Sequence, residues 1–353
     1  MFNKKSPQPI FFKTIEELNT FGIPKEVELW EDGFRTNRNK GFFEWWYFDA
    51  HFDDGTTVVV VFMTKSITEY KGPLKPAIMI TINRKDGSKL FKAKKYAVNS
   101  FFSSKEQCDV KMGTNFVNGD LKEYHLYSEI DDVLVDLTFK GIVKAWRPGE
   151  GKIYFGDHAH YFGWVAPIPH GTVKGSLSYD GKTHEVKGVG YHDHNWGNLS
   201  LPAIQDHWYW GRTTLDEYTV IFVEQTTTKN YGSVKLPVFL VAKGSEVLIE
   251  EGEMLKLETS DFINHASGHK YPNKLIFKWE KGEDKVVITL TNPRIIEATG
   301  LLSAIPKWKQ KVARLFVNPY YFRFHSEITL EINYQGIKTV KFGNTLYELM
   351  QLR

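Results

Sequence analysis

The chain has 353 residues, of which 42% are hydrophobic and 25% charged, a composition typical of a globular protein long enough for two ordinary domains. The formal net charge of +3 argues against a dedicated nucleic-acid-binding protein, because such proteins usually carry a strongly basic face or arm. Aromatic residues make up 15% of the chain and occur in clusters, so these clusters are where a functional site is expected.

The cysteine content and the N-terminus bear on the cellular compartment. The single cysteine, Cys108, cannot form an internal disulfide, which fits a reducing compartment and excludes a cysteine-rich metal site. The stretch MFNKKSPQPIFFKT contains two lysines but lacks the apolar core of a secretory signal. The sequence also contains no apolar run of about 18 residues, the length that a membrane-spanning helix needs. We therefore expect a cytoplasmic protein.

In chain order, the first expected element is a short helix over 14–22 (TIEELNTFG). The next residues are typical of strands. Residues 56–64 (TTVVVVFMT) predict a buried strand, and the Asp-Gly pairs at 86–87 and 180–181 predict tight hairpin turns. Strands of this kind recur almost to the C-terminus with few helices between them, which favours an all-β fold of sandwiches or barrels.

The strands fall into two groups of similar length. One group spans about 40–195 and the other about 206–345, and the Gly-, Ser- and Pro-containing stretch 197–205 (GNLSLPAIQ) is the expected link. We therefore predict two domains, residues 1–197 and residues 198–353.

One later segment predicts a basic amphipathic helix. Residues 305–316 (IPKWKQKVARLF) place apolar side chains on one face and basic side chains around the rest, and Pro306 suits a first helical turn. Such a helix either lies on an anionic membrane surface or, more commonly, packs on its own domain with the lysines in water. Peripheral membrane contact is thus an open expectation for this segment.

Three segments place ionisable side chains beside large rings: 42–50 (FFEWWYFDA), 189–198 (VGYHDHNWGN) and 207–212 (HWYWGR). Successive side chains of a β-strand point to opposite faces. The expected sets are Glu44, Trp46 and Phe48 opposite Trp45, Tyr47 and Asp49; His192, His194 and Trp196 opposite Tyr191, Asp193 and Asn195; and Trp208, Trp210 and Arg212 together on one face.

Acidic groups beside rings suit proton chemistry on an apolar substrate. A histidine, or a carboxyl group whose pKa is raised by burial, can supply a proton near neutral pH, and ring faces attract the cation that results. Such a pocket could protonate an alkene and admit water. Without proton transfer, the same pocket could fold a polyene for cyclisation by shape alone. The alternative interpretation is structural, with the rings as core and the polar groups satisfying buried backbone.

A zinc site is a further alternative. His158 and His160, like His192 and His194, are spaced so that two imidazoles share one strand face. This spacing arises readily by chance in a histidine-rich region, and we predict no bound metal. The sequence contains no G-x-S-x-G elbow, no Walker A motif and no complete Rossmann glycine pattern, and we predict no cofactor.

The motifs FFEWWYFDAHFDDG, GVGYHDHNWG and HWYWGR, in this order and at this separation, resemble the AttH-like family of tandem lipocalin-type proteins. That family includes bacterial carotenoid 1,2-hydratases, and fungal lipocalin-like Diels–Alderases are its relatives. The three motifs lie within residues 42–212. The resemblance implies two tandem lipocalin-like antiparallel β-barrels with a substrate pocket at or near their junction. It also implies apolar substrates such as terpenoids, polyketides or carotenoids, and no obligatory cofactor.

The resemblance also implies particular site residues. In the hydratases, a histidine and a tryptophan of this motif are implicated in catalysis, together with a Tyr-x-Asp pair on a following strand. Here His194 and Trp196 match the first two residues. The pair falls on Phe222 and Glu224, so that the phenol is absent and a carboxyl group remains.

The resulting hypothesis is a cofactor-independent enzyme that hydrates, isomerises or cyclises a small unsaturated apolar substrate, with His194 and Glu224 as acid–base candidates. The remaining candidates are Trp196 and Asp193 for catalysis, and Glu44, Trp45, Trp46, Tyr47, His192, Trp208, Tyr209, Trp210, Arg212 and Phe222 for substrate binding. Two rival functions stay open. One is a non-catalytic lipocalin-like carrier of a lipophilic ligand, and the other is a hydrolase with a histidine-bound zinc.

Overall fold

A computed structural model describes residues 9–11, 15–20, 22–66, 69, 71–300 and 318–353. The predicted helix at 305–316 lies outside these residues, so the expected membrane contact of that segment stays a prediction. Among the helices that the structure does describe, none is long and apolar enough to cross a membrane.

The chain divides into two compact units, Ile10–Ser200 and Leu201–Arg353, called the first and the second unit below. In the first unit, α1 spans Ile15–Thr20, where the sequence predicts a short helix, and 3₁₀ helices span Leu29–Asp32 and Val98–Ser100. That residues 1–197 and 198–353 form two separate domains stays a prediction.

Antiparallel strands build the sheet of the first unit. The strands are β1 (Pro9–Phe11), β2 (Phe43–Phe52), β3 (Thr57–Met63), β4 (Ala77–Asn83), β5 (Lys89–Lys95), β6 (Phe101–Ser103), β7 (Cys108–Met112), β8 (Asn115–Gly119), β9 (Glu123–Ile130), β10 (Val133–Gly141), β11 (Lys152–Phe155), β12 (Asp157–Tyr179) and β13 (Lys182–Gly197). Their order in the sheet is β5-β4-β3-β2-β13-β12-β10-β9-β8-β7-β6, and β11 pairs with β1 and β12.

The second unit repeats this plan with fewer strands. It contains α2 (Leu201–Ile204), a 3₁₀ helix (Lys229–Tyr231), β14 (Gln205–Leu215), β15 (Tyr218–Thr227), β16 (Lys235–Lys243), β17 (Glu246–Ile249), β18 (Lys256–Asn264), β19 (Lys270–Lys281), β20 (Asp284–Gly300), β21 (Tyr320–Tyr334) and β22 (Ile337–Gln351). The order is β17-β16-β15-β14-β22-β21-β20-β19-β18. The predicted all-β fold class is confirmed.

Sequence chemistry explains the hairpins. The predicted turn at Asp180 and Gly181 joins β12 to β13, and both residues have positive φ values of 52° and 72°. A two-residue turn of this kind matches the twist of the flanking strands, and aspartate and glycine tolerate its left-handed backbone. The predicted turn at Gly87, with φ of 84°, joins β4 to β5.

Glycines let the sheet of the first unit curl around its core. A Cβ atom on Gly188 would lie 2.1 Å from the backbone oxygen of His51, and one on Gly190 would lie 2.4 Å from Cγ2 of Val173. Strands approach most closely where no side chain intervenes, and glycine therefore marks the sharp bends of strongly coiled sheets. In this sheet β13 lies between β2 and β12, and that placement builds the site described next.

Candidate functional site

Two of the aromatic segments lie on adjacent strands. β13 pairs with β2 so that His194 is opposite Trp46 and Asp193 is opposite Tyr47. His192 and His194 point into the core, where the ring of Phe48 stacks on His192 at 3.8 Å. Because side chains alternate along the strand, Asp193 points to the outer face. One strand thus carries two different clusters of polar groups.

The inner cluster is centred on Asp32, at the end of the first 3₁₀ helix. Nε2 of His192 lies 3.1 Å from Oδ2 of Asp32, and the hydroxyl of Tyr124 donates to the same oxygen at 2.6 Å. Nδ1 of His194 lies 3.2 Å from Oδ1 of Asp32, an ion-pair distance without hydrogen-bond alignment. The indole of Trp46 donates to the backbone oxygen of Asp32 at 3.0 Å.

Glu44 closes the inner cluster on the other side of His194. Its Oε1 lies 2.8 Å from Nε2 of His194 and accepts the backbone N–H of Arg35 at 2.7 Å. Its Oε2 accepts both the backbone N–H and the hydroxyl of Thr36, at 2.9 and 2.6 Å. Glu44 and His194 are both fully buried, so this carboxylate is satisfied without water.

Opposite charges set the pKa values in the inner cluster. Burial raises the pKa of Asp32, but the charges and hydrogen bonds of His192 and His194 outweigh it and hold that pKa well below its usual range. Burial lowers the pKa of His194, but its contacts with Asp32 and Glu44 outweigh that effect and raise the pKa. The two carboxylates that flank His194 therefore favour its imidazolium form.

Rings complete the inner cluster. The indole of Trp46 stacks on the ring of His194 with centroids 4.6 Å apart, and that of Trp196 lies tilted at 5.0 Å. Aromatic faces stabilise a buried cation. The result is one buried network, as expected if these rings and polar groups serve only the structure, so that catalytic or binding roles stay predictions. The network contains five of the residues that were predicted to act on substrate. They are Glu44, Trp46, His192, His194 and Trp196.

The outer cluster is centred on Asp193, which is 8% exposed. Its Oδ2 accepts from the hydroxyl of Tyr191 at 2.8 Å and from the indole of Trp164 at 3.2 Å, and its Oδ1 accepts from the amide of Asn195 at 2.9 Å. Burial raises the pKa of Asp193 to about 7; hydrogen bonds from Tyr191 and Trp164 lower it, and Asp49 adds a smaller increase. A carboxyl group with such a pKa can both donate and accept a proton at neutral pH.

Further rings surround the outer cluster. The ring of Trp45 stacks on Phe43 at 5.5 Å and lies 6.2 Å from Phe162, and the ring of Tyr47 meets that of Tyr191 edge-on at 6.3 Å. Trp45 and Tyr47 are half-buried. The predicted binding residues Trp45 and Tyr47 therefore lie on the same face as the carboxyl group of Asp193.

Strand register extends this face across β3, β4 and β5. One row of directly opposed residues leads from Asp193 through Tyr47, Val61 and Met79 to Ala93. Four strand spacings of 4.7–4.9 Å make this row about 19 Å long. Apolar residues hold five of the eight adjoining positions on the face; the positions are Asp49, Val59, Thr81 and Phe91 on one side, and Trp45, Met63, Ala77 and Lys95 on the other.

The apolar character of this outer face departs from the usual pattern. In antiparallel sheets one face commonly packs on the core while the other is polar and meets water. Here Val61 and Met79 are half-buried and Ala93 is exposed. The outer face of β2–β5 is therefore an apolar strip that ends at a buried carboxyl group.

The remaining predicted residues lie in the second unit. Trp208, Trp210 and Arg212 alternate along β14 and share a half-buried face. Tyr209 and Phe222 belong to the core of that unit. Trp208, Trp210 and Arg212 are positioned as the sequence predicts, and their contact with a substrate stays a prediction.

The predicted acid Glu224 lies on β15, on the same face as the core residue Phe222. It is 4% exposed, and Nζ of Lys235 lies 3.0 Å from its Oε2. Burial, followed by the charge of Glu224, raises the pKa of its neighbour Tyr209 well above its usual range. Glu224 is thus an ion-paired carboxylate, and its part in acid–base catalysis stays a prediction, as does a pocket shared by the two predicted domains.

The histidine pairs differ in their surroundings. His160 is exposed, whereas His192 and His194 are fully buried, and the side chain of His158 lies outside the described residues. Among the described side chains, one set with metal-ligand spacing is Asp32, Cys108 and His192, whose ligand atoms lie within 4.8 Å of one another. Burial raises the pKa of the Cys108 thiol well above its usual range, which favours the protonated form that metals bind poorly.

Sequence reasoning missed Asp32, Tyr124 and Asp49 as members of these clusters. Asp32 lies 160 positions from His192 along the chain, and the short-range spacings used for the prediction carry no information on such a contact. For Asp49 a signal was present, because it continues the Trp45–Tyr47 alternation in the first aromatic segment.

The profile of the Svf1 family matches residues 45–349. The chain belongs to the Svf1 family. One curated relative, the ceramide-binding protein SVF1 of Candida albicans, is 21% identical over 276 residues, which cover 69% of this chain and 69% of that protein. Three further relatives are covered over 54–60% of their length.

Solved structures show the same fold. A protein of Nitrosomonas europaea assigned as AttH superposes with a TM-score of 0.59 at 13% identity, covering 92% of this chain and 97% of that one. Kievitone hydratase of Nectria haematococca superposes with a TM-score of 0.56 at 17% identity, covering 98% of each chain. The expected resemblance to AttH-like proteins therefore holds for the lipocalin-like fold, whereas the matching family is Svf1.

Proposed function

We propose that the protein binds a lipophilic molecule on the outer face of its first unit. The observation that carries this proposal is the apolar strip of Val61, Met79 and their neighbours, which leads to the buried polar group Asp193. An apolar chain laid along the strip would remove its surface from water, at about 25 cal/mol for each Å² covered. The ceramide-binding relative supports a ligand of this class.

Polar side chains at the end of the strip can bind the head group of a lipid. Asp193 and Asn195 offer a carboxyl group and an amide, and half-buried Tyr47 offers a hydroxyl. These groups can pair with the hydroxyl or amide of a head group, which fixes the direction in which the chain lies. We also propose that residues 1–197 and 198–353 are two lipocalin-like domains, and that Trp208, Trp210 and Arg212 of the second unit have a ligand-binding role.

Proton transfer to an unsaturated ligand is the second candidate function. It is favoured by the raised pKa of Asp193, about 7, within a ring-lined environment. A carboxylic acid there could protonate an alkene, and the neighbouring rings would stabilise the cation. The reaction ends when water adds or a neighbouring C–H bond breaks, and the carboxylate takes back the proton that is released. Hydration, isomerisation and cyclisation through a cation all share this first step, and one solved structure with this fold is a hydratase.

Binding of a ceramide to the purified protein, followed by native mass spectrometry, tests the first proposal. Met79→Glu should weaken binding at least tenfold, because it buries a charge under the apolar chain. Met254→Glu, which changes an exposed methionine of the second unit, is the matched control and should bind normally. Equal binding by the two variants, with both folded by circular dichroism, would contradict the proposal.

Product analysis separates the two functions. If proton transfer occurs, polyene or alkenyl lipids will be recovered changed after incubation, and Asp193→Asn will lower the rate about 10²–10⁴-fold without abolishing binding. If the protein is a carrier, every bound lipid will be recovered unchanged from both proteins.

A further inference from the structure

The segment that joins the two ends of the first unit's sheet is strongly basic. Residues 88–105 (SKLFKAKKYAVNSFFSSK) contain five lysines and no acidic residue. The segment includes β5 and β6, which are the outermost strands in the order of the sheet, and the 3₁₀ helix between them. An edge strand rich in lysine resists pairing with other strands, which is one reason for this composition.

Resistance to pairing does not account for the large apolar side chains of the same segment. Phe91 is 53% exposed, Val98 46% and Phe102 47%. Single exposed apolar side chains are common on proteins. Three within twelve positions, interspersed with lysines, are the composition of a surface that inserts rings and aliphatic groups among lipid head groups.

Several cations lie close to these apolar groups. Nζ of Lys111, on the neighbouring β7, lies 5.5 Å from the ring of Phe102, and Nζ of Lys94 lies 5.8 Å from the ring of Tyr96. Lys95 lies at the end of β5 and is exposed. Acidic groups reduce the positive charge nearby, since Asp109 lies 3.5 Å from Lys111, and Asp132 and Asp131 lie 2.6 and 3.9 Å from Lys92.

We propose that residues 88–105 dock the protein on an anionic lipid membrane. Each lysine near such a surface strengthens binding about fivefold, while the exposed apolar groups enter the interface. The positive charge of the segment favours an anionic membrane as the partner. Phe262, on β18 of the second unit, is 54% exposed, but the residue next to it is the acidic Asp261. This exposed ring therefore lacks the positive charge that an anionic membrane attracts. This inference goes beyond the proposed ligand binding, which needs no membrane.

Flotation of the full chain with vesicles tests the proposal. The protein should float with vesicles of phosphatidylcholine and phosphatidylglycerol and remain behind with vesicles of phosphatidylcholine alone. Added salt should weaken the binding, because it screens exposed charges. Equal binding to both kinds of vesicle, or to neither, would overturn the proposal.

Matched variants locate the contact. Lys94→Glu with Lys95→Glu should lower vesicle binding at least tenfold, and Val98→Ser with Phe102→Ser should lower it severalfold. The controls remove the same charge and a similar ring from the second unit: Lys270→Glu with Lys274→Glu, and Phe262→Ser.

The controls should bind vesicles as the unchanged protein does. Losses of equal size in the controls, or full binding by the Lys94–Lys95 variant, would overturn the assignment of the contact to 88–105. Ceramide binding without vesicles should persist in the Val98–Phe102 variant and in the controls, so that failure of docking is distinguishable from failure of ligand binding.

Discussion

A buried carboxyl group lies on each face of β13, and the pKa values of the two groups are shifted in opposite directions. On the inner face, Asp32 is fully buried but meets two histidines, and its pKa lies well below the usual range. On the outer face, Asp193 is buried among neutral donors, and its pKa rises to about 7. Burial raises the pKa of both carboxyl groups, and the charge of the neighbours decides the outcome. The inner group is suited to hold a structure together, and the outer group is suited to exchange a proton.

Removal of the inner charge should have the largest effect on stability. Asp32→Asn leaves the imidazolium of His194 buried with one carboxylate fewer, and breaking a buried pair costs about 3–5 kcal/mol. We expect the free energy of unfolding in urea at pH 7 to fall by about that amount. Asp193→Asn is the control on the opposite face and should not be destabilised at this pH. A loss of equal size in both variants would refute the contrast between the two faces.

The outer face should dominate the pH dependence of stability between pH 4 and 7. The folded protein holds a proton on Asp193 up to a pKa of about 7, whereas the unfolded chain loses it near 3.8, so the free energy of unfolding falls as the pH rises through this window. The difference corresponds to a free energy on the order of 4 kcal/mol. Asp193→Asn should therefore gain stability relative to the unchanged protein on going from pH 5 to pH 8. Parallel curves of stability against pH would contradict the raised pKa.

The inner histidine should show a pH dependence of its own, at higher pH. Its raised pKa means that its stabilisation is fully present below the unfolded pKa of 6.5 and is lost as the pH rises through the folded pKa. His194→Gln should cost about 1.5–3 kcal/mol at pH 6, the range for hydrogen bonds to a charged group. The cost should be smaller at pH 9. Chemical denaturation at the two pH values measures both, and an equal cost would place a neutral imidazole at this position.

The smallest effect is expected from a single ring on the outer face. Trp45→Ala removes a half-buried aromatic contact beside the proposed ligand and should weaken ceramide binding about tenfold. Phe342→Ala, at a ring that is 76% exposed in the second unit, is the matched control. Fluorescence titration gives both affinities, and equal affinities would remove Trp45 from the ligand site.

The local part of this architecture was predictable from sequence. Alternating side chains and Asp-Gly turns predict strands and hairpins, because both depend on residues a few positions apart. The same alternation predicts that His192 and His194 point to one face of the strand and Asp193 to the other. Which of the two faces is the core, however, is decided by the curl of the whole sheet and is not contained in the local pattern.

The long-range part was not predictable from these patterns. Asp32 reaches His192 only because the first 3₁₀ helix lies against the core of the curled sheet, and no spacing in the sequence encodes that contact. The apolar strip has a similar origin. The sequence predicts one buried strand that contains Val59, Val61 and Met63. Only the register of β2–β5 shows that these three residues belong to a continuous outer face.

Photo-crosslinking can locate a lipophilic ligand on the outer face of the first unit. A ceramide with a photoreactive group in its acyl chain would be bound, irradiated and located by peptide mass spectrometry. We expect labels within residues 57–63 and 77–83, and Met79→Glu should reduce them. Labels confined to the second unit, or to the inner residues of β13, would contradict it.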